Sequence, residues 1–230
     1  MDNLKLVFCL PGSHFSKYFV MCWTETIVWA KDQGYSFRSS FSEGNNIYAV
    51  RNQCLGGDMQ LGKHQKPFHN GEIDYDYLMW IDSDQVWNAV QIQKLIDQSQ
   101  KLNLDIVSGC YAAEGGKELA CGDFTLEKWK NNSMSNHTDA TLKEAADENG
   151  MVEVGYNGLG FMLVKKGVFE AMTFPWFWGG ELINAINSEG IEMQGFSDDA
   201  AEWCFNAKKL GFKTYVDTNV RVWHEKKAFF

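Results

Sequence analysis

The chain has little positive charge and no run of Lys and Arg residues. Its 230 residues include 21 Lys and Arg against 30 Asp and Glu, which gives a formal net charge of −9. Because nucleic-acid binding depends mainly on basic side chains that neutralise phosphates, this balance argues against a nucleic acid as the main partner. A nucleotide remains compatible with it, since one metal ion can offset the charge of one diphosphate locally.

Long apolar runs and paired cysteines are also missing. No stretch of about 18 apolar residues occurs, so no membrane span is expected, and the first residues lack the pattern of a signal peptide. The six cysteines include no C-x-x-C pair. Four of them lie in apolar runs or on apolar helix faces, which favours buried free thiols in a reducing compartment. We therefore expect a cytoplasmic protein, located in the host cytoplasm if a virus encodes it.

Several common catalytic motifs are absent. The sequence contains no P-loop, no G-x-S-x-G, no H-E-x-x-H, and no G-x-G-x-x-G after the first predicted strand. Aromatic residues, in contrast, are plentiful: 9 Trp, 8 Tyr and 16 Phe. Core packing accounts for most aromatic rings by default, but some could offer flat surfaces to a base or a sugar.

Hydrophobic periodicity predicts alternating strands and helices over the first 110 residues. The predicted strands cover 4–10, 35–41, 77–81 and 104–110, and the predicted helices cover 16–33, 47–61 and a segment after Asn88. This alternation is typical of a mostly parallel sheet flanked by helices. Residues 112–150 are rich in Gly, Asn and charged residues and are predicted to be an insertion or a mobile segment. Apolar order returns at 151–164, and Ser197 is predicted to cap a last helix before a last strand at 214–222.

The strongest candidate site is Asp82-Ser83-Asp84, directly after the predicted strand 77–81. In an extended segment, residues two apart point the same way, so Asp82 and Asp84 are expected to converge. Two adjacent carboxylates repel each other unless a cation lies between them, and Mg²⁺ or Mn²⁺ prefers such oxygen ligands. Ligands of open α/β sheets also bind at the carboxyl ends of strands. The alternative is a turn that merely caps the next helix.

Other segments of the sequence offer weaker candidates. Asp198 or Asp199 could be a catalytic base, or both could simply complement the dipole of the last helix. His224 could complete a metal shell, or it could be an ordinary surface residue. The loop of Pro11, Gly12, Ser13 and His14 could hold a base and ribose, and Arg51, next to Asn52, could bind a diphosphate. Gly158 and Gly160, on either side of Leu159, could let a substrate approach the backbone closely. An aromatic loop at 174–180 contains Trp176 and Trp178.

Taken in this order, these segments resemble the GT-A class of glycosyltransferases. The matching stretches are 77–84 with the following helix and 105–111, then 155–168, then 197–224, together with Arg51 and Asn52. They cover roughly 60 to 70% of the chain, and the segments in this order are a more specific signal than any single segment alone. The resemblance implies a Rossmann-like α/β sandwich formed as one catalytic domain over 1–230. Its nucleotide-binding half would cover 1–111 and its acceptor half 151–230.

The resemblance also implies a role for each segment. Asp82, Ser83 and Asp84 would bind Mn²⁺ or Mg²⁺ and the diphosphate of the donor, with His224 as a further metal ligand. Gly158, Leu159 and Gly160 would line the sugar pocket. Asp198 and Asp199 correspond to the acidic pair that often supplies the base in inverting members. That pair usually reads Glu-Asp with an aromatic residue three positions later, whereas here Trp203 follows Asp199 by four. The sequence therefore leaves open which of the two is the base.

We therefore predict an enzyme of the hexosyltransferase type that moves a sugar from a nucleoside-diphosphate sugar to a hydroxyl of a glycan or other acceptor. A UDP-sugar is favoured and a GDP-sugar is the alternative, and inversion is preferred over retention. A sugar-phosphate nucleotidyltransferase would share the fold, but it normally carries a Gly-rich loop with Arg and Lys after the first strand. A non-catalytic carbohydrate-binding protein would leave the aspartate pair unexplained.

Overall fold

A seven-stranded sheet forms the centre of the fold. The computed structural model describes residues 3–113, 115–125, 127–128, 135–178, 185–186, 189–193 and 198–225. The strands in this part are β1 (Lys5–Pro11), β2 (Ser36–Ser42), β3 (Tyr77–Ile81), β4 (Gln85–Val86), β5 (Ile106–Cys110), β6 (Cys121–Asp123), β7 (Ser135–Asn136), β8 (Met151–Val154), β9 (Tyr156–Asn157), β10 (Phe161–Lys165), β11 (Ala185–Ile186), β12 (Glu192–Met193), β13 (Thr214–Arg221) and β14 (Trp223–His224).

Helices lie between these strands along the chain. They are α1 (Lys17–Asp32), α2 (Ile47–Cys54), α3 (Pro67–Gly71), α4 (Ala89–Leu102), α5 (Asp139–Ala145), α6 (Val168–Ala171) and α7 (Asp199–Lys209), with a 3₁₀ turn at Met59–Leu61. In the short α3 segment, Phe68, His69 and Asn70 have φ near +55°, so this segment is a left-handed turn.

The order of strands in the main sheet is β2-β1-β3-β10-β5-β13-β8. Strands β1, β2 and β3 are mutually parallel, and β5 and β13 are parallel to each other. Strand β10 lies antiparallel between β3 and β5, which gives β3 and β5 the same direction. Strand β8 is antiparallel to β13. The prediction of a mostly parallel α/β sheet is thus confirmed, and the carboxyl ends of five strands lie at one edge.

Both faces of the sheet are covered at its centre, because alternate residues of the central strands enter different cores. On one face, residues such as Val7, Leu78 and Trp80 pack with α2, α6 and α7. On the other face, Phe8, Met79 and their equivalents pack with α1 and α4. A smaller third core joins α5 to β6, β8 and β13. All six cysteines are free and buried in these cores, as expected from their apolar neighbours.

Local signals in the sequence account for most helix boundaries. Ser16 caps α1, and Asn88 with Gln91 forms a capping box at α4. The predicted helix 47–61 stops at Cys54, because Gly56 (φ +70°) and Gly57 follow and the chain restarts only as the 3₁₀ turn. Asp198, not Ser197, is the N-cap of α7; Ser197 itself lies outside the described residues.

Parts of the predicted insertion at 112–150 are ordered against the main fold. Strands β7, β6 and β9 form a small antiparallel sheet, and Cys121 of β6 pairs with Asn157 of β9. Helix α5 begins at Asp139 with Thr138 as its cap, inside the stretch that the sequence predicts to be an insertion or a mobile segment. In the part of the chain that the structure describes, no helix is long and apolar enough to cross a membrane.

Candidate functional site

Four segments meet at the edge where β1, β3, β5 and β13 end. Asp82, Ser83 and Asp84 follow β3, and Gly12 follows β1. A Cβ atom added to Gly12 would lie 2.6 Å from the Ser83 side chain, so the β1 loop touches the Asp-Ser-Asp turn directly. Strand β14 pairs with β4, and this pairing places His224 opposite Gln85. The sheet topology therefore brings together residues that are far apart in the chain, such as Asp84 and His224, which are 140 positions apart.

Arg51 of α2 lies between two carboxylates. Its Nη1 and Nη2 atoms donate to the two oxygens of Asp82 at 3.1 and 3.3 Å, and its Nε donates to Oδ2 of Asp199 at 2.6 Å. The side chain is only 4% exposed, and its guanidinium lies 5.3 Å from the centre of the Trp80 ring. Burial disfavours the charged form of Arg51, but Asp82 and Asp199 outweigh this effect and raise its pKa above the ordinary value.

Asp84 has a different partner. Its Oδ2 atom lies 2.7 Å from Nε2 of His224, and Nδ1 of the same ring lies 3.0 Å from the backbone carbonyl of Ala112. Because a carbonyl oxygen only accepts, Nδ1 must carry the proton of this hydrogen bond. The Nε2 position that faces Asp84 can then hold a second proton or offer its lone pair to a cation. Such a backbone contact, which fixes the tautomer, is typical of histidines that bind metals.

The three predicted metal ligands do not form one cluster. Asp82 is held by Arg51, whereas Asp84 and His224 face each other. Across the described ranges, no group of three or more His, Cys, Asp or Glu side chains is arranged to hold a metal ion. The Asp84 and His224 pair nevertheless fits a divalent cation in its donor chemistry. It offers one carboxylate and one oriented imidazole, and the Asp84 side chain is 43% exposed and open to a substrate oxygen.

The acidic pair at the start of α7 divides into two structural roles. Oδ1 of Asp198 accepts from the backbone N–H groups of Ala200 and Ala201, so Asp198 caps the helix. Asp199 binds Arg51. The pKa of Asp198 is raised, first because surrounding protein atoms remove water from the carboxyl and then because the Asp199 charge is close. A carboxylate with a raised pKa accepts a proton more readily than an ordinary one.

The Gly158 to Gly160 segment packs against Tyr111 and the turn at Asp82. Leu159 is 1% exposed and belongs to the core. A Cβ atom at Gly158 or Gly160 would lie 2.1 or 2.8 Å from the Tyr111 hydroxyl, so both glycines make room for this ring. The Gly160 N–H donates to that hydroxyl, and the Gly160 carbonyl accepts from the Asp82 N–H. The segment thus supports Asp82 and Tyr111, and its predicted place in the sugar pocket stays a prediction.

Asn52 anchors the aromatic loop, and the two tryptophans of this loop differ in exposure. The Asn52 amide donates to the carbonyls of Tyr48 and Phe177 and accepts from the Phe177 N–H, so it anchors the loop at 174–178. Trp176 is 3% exposed and packs in the core, so it cannot stack on a sugar. Trp178 is 55% exposed. Residues 179 and 180 of the predicted aromatic loop lie outside the described part of the chain.

The loop predicted to hold the nucleoside follows β1, and its role stays a prediction. Pro11 is buried as the last residue of β1 and pairs with Ser42. Ser13 and His14 are exposed, and the Ser13 hydroxyl lies 2.8 Å from Nδ1 of His14. Two further contributors, Tyr111 and the Ala112 carbonyl, carry no signal in the sequence. Both follow β5, and the Tyr111 ring packs edge-on against His224 with the ring centres 5.4 Å apart.

Comparison with known proteins supports the fold. No protein-family model matches the chain, and a search of curated proteins gives no significant match. Among solved structures, the chain is similar to A197 from STIV, with a TM-score of 0.52 and 14% identity over 99% of this chain and 96% of that one. A glycosyltransferase involved in the glycosylation of the major capsid of PBCV-1 matches at a TM-score of 0.36 and 13% identity, over 73% of this chain and 63% of that protein.

Proposed function

We propose that the chain is a metal-dependent glycosyltransferase of the GT-A type. It transfers a sugar from a nucleoside-diphosphate sugar, with a UDP-sugar as the favoured donor, to the hydroxyl of an acceptor. The observation that carries this proposal is the pair of Asp84 and His224, with the histidine tautomer fixed by Ala112, at the carboxyl edge of β3. The contact between Gly12 and Ser83 supports it, because it places the β1 loop beside the pair.

A divalent cation, when bound at this pair, would offset the negative charge that develops on the leaving diphosphate. Asp84 and His224 provide an oxygen and a nitrogen ligand, and Ala112 holds the imidazole in the required tautomer. Ser13 and His14 lie exposed on the loop after β1, where they can contact the nucleoside. Arg51 binds both Asp82 and Asp199. It thereby holds the donor side of the site, at Asp82, at a fixed distance from the acceptor side, at Asp199.

The proposal is tested by a thermal-shift screen. UDP, GDP, UDP-glucose, UDP-N-acetylglucosamine and GDP-mannose are each added with Mn²⁺ or with EDTA. A ligand at 100 times its Kd stabilises the folded state by about 2.7 kcal/mol, which corresponds to roughly 5 to 10 °C for a domain of this size. We expect at least one nucleotide to reach this shift only with Mn²⁺. If no nucleotide shifts the melting temperature under either condition, the proposed function is wrong.

For an inverting reaction, we propose Asp198 as the base that takes the proton of the acceptor hydroxyl. One carboxylate oxygen caps α7, and the raised pKa of Asp198 favours proton uptake. Asp199 is the weaker candidate, since it already binds the Arg51 cation at 2.6 Å. Asn is also a good helix cap, so Asp198→Asn removes the base while preserving the helix start.

We therefore expect Asp198→Asn to lower the rate of transfer roughly 10²- to 10⁴-fold, as removal of a general base does. The measurement is the release of UDP or GDP from the donor found in the thermal-shift screen. The stabilisation of Asp198→Asn by Mn²⁺ and the nucleoside diphosphate should match that of the wild type. Asp199→Asn, in contrast, should weaken this stabilisation as well, because it disturbs Arg51. An Asp198→Asn variant within threefold of the wild-type rate contradicts the assignment.

A further inference from the structure

A second open feature lies beside the α7 start, between α2 and the aromatic loop. It is a cavity of about 670 Å³. Helix α2 and the Asn46 that caps it form one wall, and the loop at 174–178 forms the other. The lining residues are Asn46, Tyr48, Ala49, Asn52, Gln53, Gly57, Met59, Phe174, Pro175, Phe177 and Trp178. A cavity of this size falls in the range of small-molecule sites.

The lining combines aromatic faces with side-chain amides. Tyr48, Phe174 and Trp178 supply rings, and Trp178 is the most exposed of them. Asn46 uses its carbonyl oxygen to accept from the Ala49 N–H, and Gln53 uses its own to accept from Ser42. Their NH₂ groups are then the ends that can donate to a ligand. Among the described residues that line the cavity, none carries a charge.

This chemistry matches a neutral sugar. The C–H face of a pyranose ring packs on a flat aromatic ring, and its hydroxyl and ether oxygens accept from amide NH₂ groups. A phosphorylated or carboxylated ligand would find no opposite charge in this lining, and burying such a charge without a partner is costly. A long acyl chain would leave the amide groups without hydrogen bonds.

The cavity is also close to the proposed base. Tyr48 lines it, and the pKa of this tyrosine is raised by burial and by the nearby charges of Glu202, Asp199 and Asp198. Asn52 lines it as well and directly follows Arg51, which binds Asp199. Helix α2 thus has one side on the cavity and the other on the aspartates. A ring seated in the cavity would therefore lie near the α7 start.

We propose that this cavity is the acceptor subsite and that it binds a neutral saccharide, with one ring packed on Trp178. That the bound saccharide is the acceptor rests on the proposed transferase function, but saccharide binding at this cavity can be tested separately. Trp178 and the amides of Asn46 and Gln53 recognise the ring, and Asn52 positions the loop that carries Trp178.

The test is a binding titration with the full chain, followed by tryptophan fluorescence and saturation-transfer NMR. The probes are maltotriose, cellotriose, mannotriose and tri-N-acetylchitotriose, with trigalacturonic acid as a charged probe and octanol as an apolar probe. We expect at least one neutral trisaccharide to bind, and EDTA should not change its affinity. Trigalacturonic acid and octanol should not bind. Trp178→Ala should weaken this binding roughly tenfold or more, as loss of a central aromatic contact does, and Trp178→Phe should restore most of it.

Trp223→Ala is the matched control, because Trp223 is 62% exposed, as Trp178 is 55% exposed, but does not line the cavity. Equal binding by wild type and Trp178→Ala, or no binding of any neutral trisaccharide, overturns the saccharide site. If Mn²⁺ and a nucleoside diphosphate still stabilise the protein in that case, the transferase proposal stands alone. Saccharide binding without any nucleotide response keeps the site and overturns the transferase.

Discussion

Replacing Arg51 by Met is expected to destabilise the fold by about 3 kcal/mol. The guanidinium is 4% exposed and is shared between Asp82 and Asp199. Removing it leaves two carboxylates without their cation, and breaking a buried ion pair in this way costs about 3–5 kcal/mol. We expect a loss at the lower end of this range, because the Asp82 side chain is 29% exposed and water can hydrate its carboxylate.

Urea denaturation monitored by circular dichroism measures this effect. Arg38→Met is the matched control: Arg38 is exposed on β2, so its replacement should change the free energy of unfolding by less than about 0.5 kcal/mol. Arg51→Lys should fall between the two, since a lysine keeps the charge but cannot bind Asp82 with two nitrogens and also reach Asp199. An Arg51→Met variant as stable as Arg38→Met would show that the paired carboxylates do not depend on this cation.

Loss of either member of the Asp84 and His224 pair should abolish metal-dependent binding of the donor diphosphate. Asp84→Asn removes the charged oxygen ligand, and His224→Ala removes the nitrogen that Ala112 orients. Mutating even the outer partners of a metal ligand costs about 10- to 100-fold in affinity, so we expect at least about 100-fold for these two. Isothermal titration of UDP into the Mn²⁺-loaded protein measures the change.

Matched controls separate a local effect from a general one. Asp97→Asn removes an exposed carboxylate on α4, and His64→Ala removes an exposed histidine away from the edge of the sheet. Both should bind UDP as the wild type does. Circular dichroism must show that Asp84→Asn and His224→Ala remain folded. Wild-type affinity in either of these two variants would remove the basis for placing the metal there.

The order of elements was readable from the sequence because each element has a local signal. The run at 77–81 became β3 with these same boundaries, and Ser16 and Asn88 cap the helices that follow them. Apolar spacing does not fix which side chains are buried at the end of a helix. Leu210 continues the apolar spacing of α7 but is 50% exposed, because it lies just after the last helical residue, Lys209.

The sequence predicted that the site lies at the carboxyl edge of the sheet, but it did not predict which side chains contact each other there. Sequence spacing places Asp82 and Asp84 two residues apart and on the same side, yet they bind Arg51 and His224 separately. Those partners lie 31 and 140 positions away in the chain, and no local pattern pairs them. The Ala112 contribution comes from a backbone carbonyl, which any residue type would supply. Trp176 and Trp178 were indistinguishable in the sequence, and only packing separates the buried ring from the exposed one.

The most direct test of the metal site is an electron paramagnetic resonance titration of Mn²⁺ with the wild type, Asp84→Asn and His224→Ala. Free Mn²⁺ gives a six-line signal that is lost when the ion is bound to protein. With UDP or GDP present, we expect the wild type to suppress this signal at stoichiometric concentration, whereas both variants leave it close to the level of nucleotide alone. A signal suppressed equally by all three proteins, or by none of them, would contradict the assignment of the metal to Asp84 and His224.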